Sequence, residues 1–281
     1  MRAPRRPGTL ATLKIGNLDI APGGPLFLLA GPCVIEDDKL PFAIARELKA
    51  MTEKLGIPFV FKASFDKANR TRADSFRGPG PEEGLAILAE VRRQVGVPVM
   101  TDIHEREHAA LAKGQVDIVQ IPAFLCRQTD LLVAAGQSGC AVNIKKGQMV
   151  APWDIGWSIE KVRGTGNDRV LVTERGVSFG YNTLVNDMRA IPEMKKFGAP
   201  VVFDATHSVQ KPSFDGGKSG GDRTMAPVLA RAAVAAGCDG VFAETHPDPD
   251  KALSDGPNMI HLRDMPKLLA TLLAIRKAIE T

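Results

Sequence analysis

Gly96-Val97-Pro98-Val99-Met100-Thr101-Asp102-Ile103-His104-Glu105 is the run that decides the fold. Val97 to Thr101 is a short apolar strand, Asp102 and His104 make its end polar, and Glu105 to Lys113 continues with helical spacing. Gly114 stops that helix and Asp117 to Ile121 opens another strand, so the stretch holds one complete βα unit and the start of the next. The same order recurs along the chain. Strands are expected at Leu26 to Ala30, Pro58 to Lys62, Val97 to Thr101, Asp117 to Ile121, Ala141 to Lys145, Val170 to Thr173, Pro200 to Phe203 and Gly240 to Ala243. Helices are expected at Lys39 to Leu55, Glu82 to Val95, Glu105 to Lys113, Gln128 to Gln137, Pro152 to Val162, Leu184 to Lys196, Arg223 to Ala236 and Pro266 to Ile279. Eight such repeats predict an α/β protein built as a (β/α)8 TIM barrel rather than an open doubly wound sheet, and no GxGxxG follows the first strand. Ahead of the barrel, Thr12 to Ile20 alternates around Gly16-Asn17, which predicts a β-hairpin over about residues 11–22 that closes the barrel's bottom. The expectation is one barrel domain over 1–281, with about 1–10 a flexible tail.

Composition narrows the function. The 281 residues are 44% hydrophobic and 24% charged, with a formal net charge of +4, as in a globular enzyme. Apart from Arg2, Arg5 and Arg6, the basic residues are dispersed among acidic ones, and one Tyr and two Trp offer no stacking platform, which argues against nucleic acid. Cysteines 33, 126, 140 and 238 form no CxxC pair and read as reduced thiols of a cytoplasmic protein. The basic N-terminus lacks the apolar core of an export signal, and no apolar run approaches the roughly 20 residues that span a bilayer, so no membrane association is expected.

The polar residues gather at one end of the expected strands. Cys33 follows the first strand, Lys62 and Ser64 the second, Asp102 and His104 the third, and Gln120 lies in the fourth. Asn143 and Lys145 lie in the fifth, Glu174 and Arg175 follow the sixth, Asp204 and His207 the seventh, and Glu244 and His246 the eighth. Active sites of such barrels occupy the C-terminal strand ends, so this asymmetry is the case for an enzyme. Lys62 and Ser64 continue the alternation of a buried strand, and an unpaired buried ammonium is costly. Together with Lys67, Arg70, Arg127, Lys145 and Arg175, Lys62 implies a ligand with more than one anionic group, because arginine grips phosphate or carboxylate through two parallel hydrogen bonds. Cys33, His207, Glu244 and Asp255 suit a divalent transition metal such as zinc, iron(II) or manganese; singly, Cys33 also reads as a buried small hydrophobe and His207 as a satisfied core histidine. Gly216-Gly217-Lys218-Ser219 is not a P-loop, since Pro212 stands where that pattern needs glycine. Asp215 to Asp222 reads instead as a mobile lid over the mouth.

Several motifs together identify a family. Phe61-Lys62-Ala63-Ser64-Phe65-Asp66-Lys67-Ala68-Asn69-Arg70, Arg77-Gly78-Pro79-Gly80, Gln120-Ile121-Pro122-Ala123-Phe124-Leu125, Arg127-Gln128-Thr129-Asp130 and His246-Pro247-Asp248-Pro249 closely resemble the 3-deoxy-D-manno-octulosonate-8-phosphate synthases. The likeness runs from about Leu26 to the C-terminus. It implies a barrel that condenses phosphoenolpyruvate with arabinose 5-phosphate and releases phosphate, in lipopolysaccharide assembly in a Gram-negative cytoplasm. By resemblance, Lys62, Ser64, Lys67 and Gln120 hold the phosphoenolpyruvate end, mainly its carboxylate, while Lys145 and Arg175 take its phosphate and Ala123 is a further substrate-binding residue. Asn69, Arg70 and Thr71 receive the sugar and its phosphate, Thr71 standing where serine is expected. Arg127 resembles a residue placed on that second phosphate across a subunit boundary, which implies a homotetramer. The family has a metal-dependent branch with cysteine at one ligand position and an independent branch with asparagine. Ala30-Gly31-Pro32-Cys33 puts this chain in the dependent branch, with His207, Glu244 and Asp255 as the other ligands. Lys67, or His104 with Asp102, is the expected proton-handling group.

Rival readings are the related heptulosonate and sialic acid synthases, a Schiff-base aldolase using Lys62 or Lys145, and a non-catalytic phosphosugar-binding barrel. Lys67-Ala68-Asn69-Arg70 favours the five-carbon sugar, since the heptulosonate enzyme resembles Lys-Pro-Arg-Thr there.

Overall fold

A computed structural model describes residues 12–70, 72–215 and 218–280. The expected tail over 1–10, Thr71 and the Gly216-Gly217 pair of the expected lid lie outside the described residues. The barrel strands are β1 (Phe27–Gly31), β2 (Phe59–Lys62), β3 (Val99–Asp102), β4 (Ile118–Ile121), β5 (Ala141–Lys145), β6 (Val170–Glu174), β7 (Val201–Asp204) and β8 (Gly240–His246). Each pairs in parallel with the next, and β8 pairs with β1 from Gly240↔Phe27 to Glu244↔Gly31, so the ring closes. The helices α1 (Leu40–Leu55), α2 (Pro81–Val95), α3 (Arg106–Ala112), α4 (Thr129–Gln137), α5 (Ile155–Arg163), α6 (Ala190–Lys195), α7 (Ala226–Ala235) and α8 (Met265–Ile279) alternate with them. None of the described helices is long and apolar enough to cross a membrane.

Period-two alternation along each strand splits the apolar residues into two cores. Outward residues such as Phe59, Phe61, Val142, Val172 and Phe203 pack beneath the helices. Inward residues Leu29, Val60, Met100, Ile118, Ala141, Leu171, Val202 and Phe242 fill the lumen. Leu13, Ile15 and Ile20 of the N-terminal hairpin (Leu13–Ile15 paired with Leu18–Ile20) join that lumen cluster, and Gly16 at its turn approaches Pro98 at the start of the third unit. The hairpin therefore plugs the N-terminal end, as expected.

Two residues further along seven of the strands, the inward positions are Lys62, Asp102, Gln120, Asn143, Thr173, Asp204 and Glu244, and all are buried. The eighth is Gly31, where an added Cβ would lie 2.0 Å from the Lys62 carbonyl oxygen. This polar layer is the floor of the barrel mouth.

One expectation needs correction. Helix α6 does not begin at Leu184: Leu184–Val185 pairs antiparallel with Val177–Ser178, and the helix runs only from Ala190 to Lys195. Gly180 (φ 70°) and Asn182 (φ 55°) both take left-handed backbone between those strands, a turn that apolar periodicity does not register. The lid run is partly regular, because Gln210–Asp215 and Lys218–Gly221 form an antiparallel pair. The other helix and strand ends shift by at most three residues.

Gly31→Ala is expected to destabilise the protein by roughly 1–3 kcal/mol through overpacking. Thermal unfolding of the full chain measures this, and an unchanged melting temperature would show that the β1–β2 contact has slack.

Candidate functional site

Lys62 lies at the centre of the floor. Its Nζ donates to Ser64 Oγ at 2.9 Å, Cys33 O at 3.2 Å and Glu244 Oε1 at 3.2 Å, with Asp102 Oδ1 at 3.9 Å. Ser64 Oγ donates to Asp102, whose other oxygen lies 3.1 Å from His104 Nε2. Lys67, just above, has its Nζ 3.8 Å from Glu244 Oε1. Across the mouth, Lys145 Nζ is 2.6 Å from Asp204 Oδ2 and 3.2 Å from His207 Nδ1, and it sits 4.1 Å above the Phe242 ring. Arg175 is buried; its Nη2 donates to Gln210 Oε1 at 2.6 Å, and its buried Nη1 has no partner among the described residues. Thr173 Oγ1 donates to Asn143 Oδ1 at 2.8 Å, and Asn143 Nδ2 donates to Gln120 Oε1 at 3.1 Å. Each buried cation thus faces a carboxylate or polar acceptor, as the desolvation cost of an isolated ion demands.

These pairings set the charge states. Burial is the strongest influence on Glu244 and opposes its charge, but His207, Lys62, Lys67 and Lys145 together bring its carboxyl down to about 2. Asp102 and Asp204 are also held below the usual carboxylate range against their burial, the first by Lys62, Lys67 and His104, the second by His207 and Lys145. Burial depresses Lys67, but the anionic groups around it, Glu244 and Asp102 among them, outweigh this, raise its pKa and keep it a cation. Lys145 is pushed down by burial, with Lys62 adding to it and Asp204 opposing. Burial, reinforced by Glu244, raises the Cys33 thiol.

The sulfur of Cys33 and carboxylate oxygens of Glu244 and Asp255 lie within 4.8 Å of one another and form a group able to hold a metal ion. Glu244 Oε2 is buried with no hydrogen-bond partner among the described residues. His207 is not in that mutual set, although its Nε2 lies 3.6 Å from Glu244 Oε1 and 4.0 Å from Asp255 Oδ2. One sulfur, one imidazole and two carboxylates around an unpartnered oxygen fit a divalent transition metal.

Not every residue predicted from sequence joins this cluster. Arg70 does, through Ser254 and at 4.0 Å from Asp255. Asn69 and Arg127 are exposed, Arg127 sharing a cavity with His104, Gln128 and Asp130. Ala123 is half-buried in the loop after β4, and Thr71 falls outside the described residues. Glu174 stands apart: its Oε1 accepts from Gly176 N at 2.6 Å, and Lys146 Nζ lies 3.5 Å from its Oε2. Sequence reasoning gave no role to Asp204, Asn143, Thr173 or Ser254, which contact site residues directly. For the first three the available signal was position, two residues beyond an inward apolar residue.

The fold and this mouth define a (β/α)8-barrel enzyme whose cation-rich floor lies beside a thiol and carboxylate group able to hold a metal ion. Residues 12–281 match the DAHP synthetase I family. A 2-dehydro-3-deoxyphosphooctonate aldolase of Desulfatibacillum aliphaticivorans is 57% identical, covering 95% of this chain and 98% of the relative. Those of Geobacter metallireducens and Nitrosococcus oceani are 56% and 59% identical, covering 94% and 91% of this chain and 97% and 91% of the relatives. The chain belongs to the DAHP synthetase I family and, within it, to the 2-dehydro-3-deoxyphosphooctonate aldolases.

The ion pairs carry a pH dependence. Glu244, Asp102 and Asp204 have folded pKa values below their unfolded ones, so their stabilising contribution is complete above about pH 5 and is lost as pH falls through the folded values. Chemical denaturation of the metal-free protein between about pH 6 and pH 3 is expected to show falling stability, with a shallower slope in Asp204→Asn. Equal slopes in the two proteins would contradict the assignment.

Proposed function

We propose that the mouth condenses phosphoenolpyruvate with arabinose 5-phosphate and water, giving 3-deoxy-D-manno-octulosonate 8-phosphate and inorganic phosphate. The observation that carries this reading is the convergence of Lys62, Lys67, Lys145 and Arg175 on one buried floor next to the Cys33, Glu244 and Asp255 group. The name borne by the relatives agrees with it. Lys62, Ser64, Lys67 and Gln120 receive the phosphoenolpyruvate carboxylate, and Ala123 is a further substrate-binding residue. Lys145 and Arg175 take its phosphate, and Asn69, Arg70 and Thr71 take the sugar and its phosphate. In the reaction, the methylene carbon of phosphoenolpyruvate bonds to the aldehyde carbon, water adds to the neighbouring enol carbon, and phosphate departs with cleavage of the carbon–oxygen bond. Charge grows on the former aldehyde oxygen and in the tetrahedral intermediate. Fixed cationic donors in a water-poor floor stabilise such charge without reorganising.

Lys67, held protonated, serves as a donor to that developing charge, while His104, oriented by Asp102 at 3.1 Å, moves the proton of the attacking water. Cys33, His207, Glu244 and Asp255 would hold a divalent metal ion. Bound there, such an ion supplies Lewis acidity and lowers the pKa of water.

A homotetramer fits the same reading. Phe124, Met149, Trp153, Trp157, Phe179 and Tyr181 are large, exposed and apolar, and they lie on α5 and on the neighbouring loops after β4, β5 and β6. Ser178 N donates to Gln148 O at 3.0 Å, which joins two of those loops. An apolar face of that kind beside the exposed Arg127 suits a subunit boundary across which Arg127 reaches the sugar phosphate.

The test is phosphate release and product formation with phosphoenolpyruvate and either arabinose 5-phosphate or erythrose 4-phosphate. Turnover with the five-carbon sugar, abolished by chelation and restored by a divalent ion, is expected; turnover only with the four-carbon sugar would transfer the reading to the heptulosonate synthases. Single-turnover rates of His104→Ala and Lys67→Ala are expected to fall roughly a hundredfold, as for loss of a proton-transfer or charge-stabilising group. Unchanged rates in both variants would reject their roles. Light scattering on the eluted protein should give four subunits, and a monomer that remains fully active would remove Arg127 from the site.

A further inference from the structure

Ser254 has no role in the reading above, yet it lies between the anion-binding residues and the metal-holding group. It is buried, its Oγ lies 2.9 Å from Cys33 Sγ, and Arg70 Nη2 donates to the same oxygen. On the other side of the sulfur, the Cys33 thiol donates to Asp255 Oδ2 at 3.4 Å. Chemistry fixes the direction of this chain at both ends. A guanidinium can only donate, so Ser254 Oγ accepts from Arg70 and keeps its own proton free; the thiol hydrogen of Cys33 is directed at Asp255 Oδ2, which leaves the sulfur lone pairs to accept from the serine. The serine hydroxyl hydrogen is therefore aimed at Cys33. A sulfur that has exchanged its proton for a metal ion is itself only an acceptor, so the same hydroxyl remains correctly oriented when the site is loaded.

We infer that Ser254 is a positioning residue for the metal centre: its hydroxyl donates to the Cys33 thiolate, fixes the direction of the sulfur lone pairs and moderates their charge. This rests on the proposal that Cys33 is a metal ligand. Hydrogen bonds to a first ligand shell commonly change metal affinity by roughly ten- to a hundredfold, and an effect of that size is expected for Ser254→Ala.

The test is a titration of the metal-free, full-length protein with Co2+ in competition with a chelator, following the thiolate-to-cobalt charge-transfer band. In wild type the band should appear. In Ser254→Ala it should move to lower energy, because the thiolate loses a hydrogen bond, and affinity should drop roughly ten- to a hundredfold. Ser254→Thr, which keeps the hydroxyl, should restore both the band position and the affinity. A purely structural role would lower the unfolding temperature without moving the band. A band and affinity in Ser254→Ala equal to those of wild type would overturn the inference while leaving Cys33 as a ligand. No thiolate band in wild type would overturn the ligand assignment itself and the inference with it.

Discussion

Buried charge must be neutralised locally, and this constraint organises the barrel mouth. Lys62, Asp102, Asp204 and Glu244 project from neighbouring or facing strands into a layer that water barely reaches. Any one of them alone would cost several kcal/mol of desolvation. Together they form a net of ion pairs, Lys62 with Glu244, Lys145 with Asp204, and Lys67 with Glu244, in which every member depends on strands far apart in sequence. The closed ring of strands is what brings them within reach, and the Gly31 position, which has no room for a side chain, keeps β1 close to β2.

That net leaves the floor electrostatically unsaturated toward anions. Asp102, Asp204 and Glu244 stay ionised and are matched by Lys62, Lys67 and Lys145, while Arg175 still has a buried Nη1 without a partner among the described residues. An incoming phosphate or carboxylate therefore meets donors already fixed in place by their neighbours. The Thr173, Asn143 and Gln120 ladder acts similarly without charge: with Oε1 occupied by Asn143, Gln120 has its amide NH2 left to offer the mouth. On the opposite wall, Cys33, Glu244 and Asp255 bring three ligand atoms together, with the imidazole of His207 adjacent.

Much of this was legible from residue order. Period-two strands separated by amphipathic helices and glycine stops specified the barrel, and the polar residues at strand ends marked its active face. The N-terminal hairpin was likewise visible in the alternation around Gly16-Asn17. The region after β6 was misread because two left-handed residues, Gly180 and Asn182, turn the chain where the apolar spacing still suggested a helix. Asp204, Asn143 and Thr173 were marked by position alone, their roles following from hydrogen-bond direction, and Ser254 was not legible, since its role follows from a contact with the distant Cys33. Glu174 shows the converse: a strand-end carboxylate that instead pairs with Lys146 behind the mouth.

One measurement bears on the whole account, a crystal structure of the full chain with Mn2+ and phosphoenolpyruvate, using the anomalous signal of manganese. The account predicts a single manganese peak bonded to Cys33 Sγ and Glu244, with the phosphoenolpyruvate carboxylate and phosphate lying between Lys62 and Arg175. A manganese peak elsewhere, or phosphoenolpyruvate bound away from that floor, would contradict it.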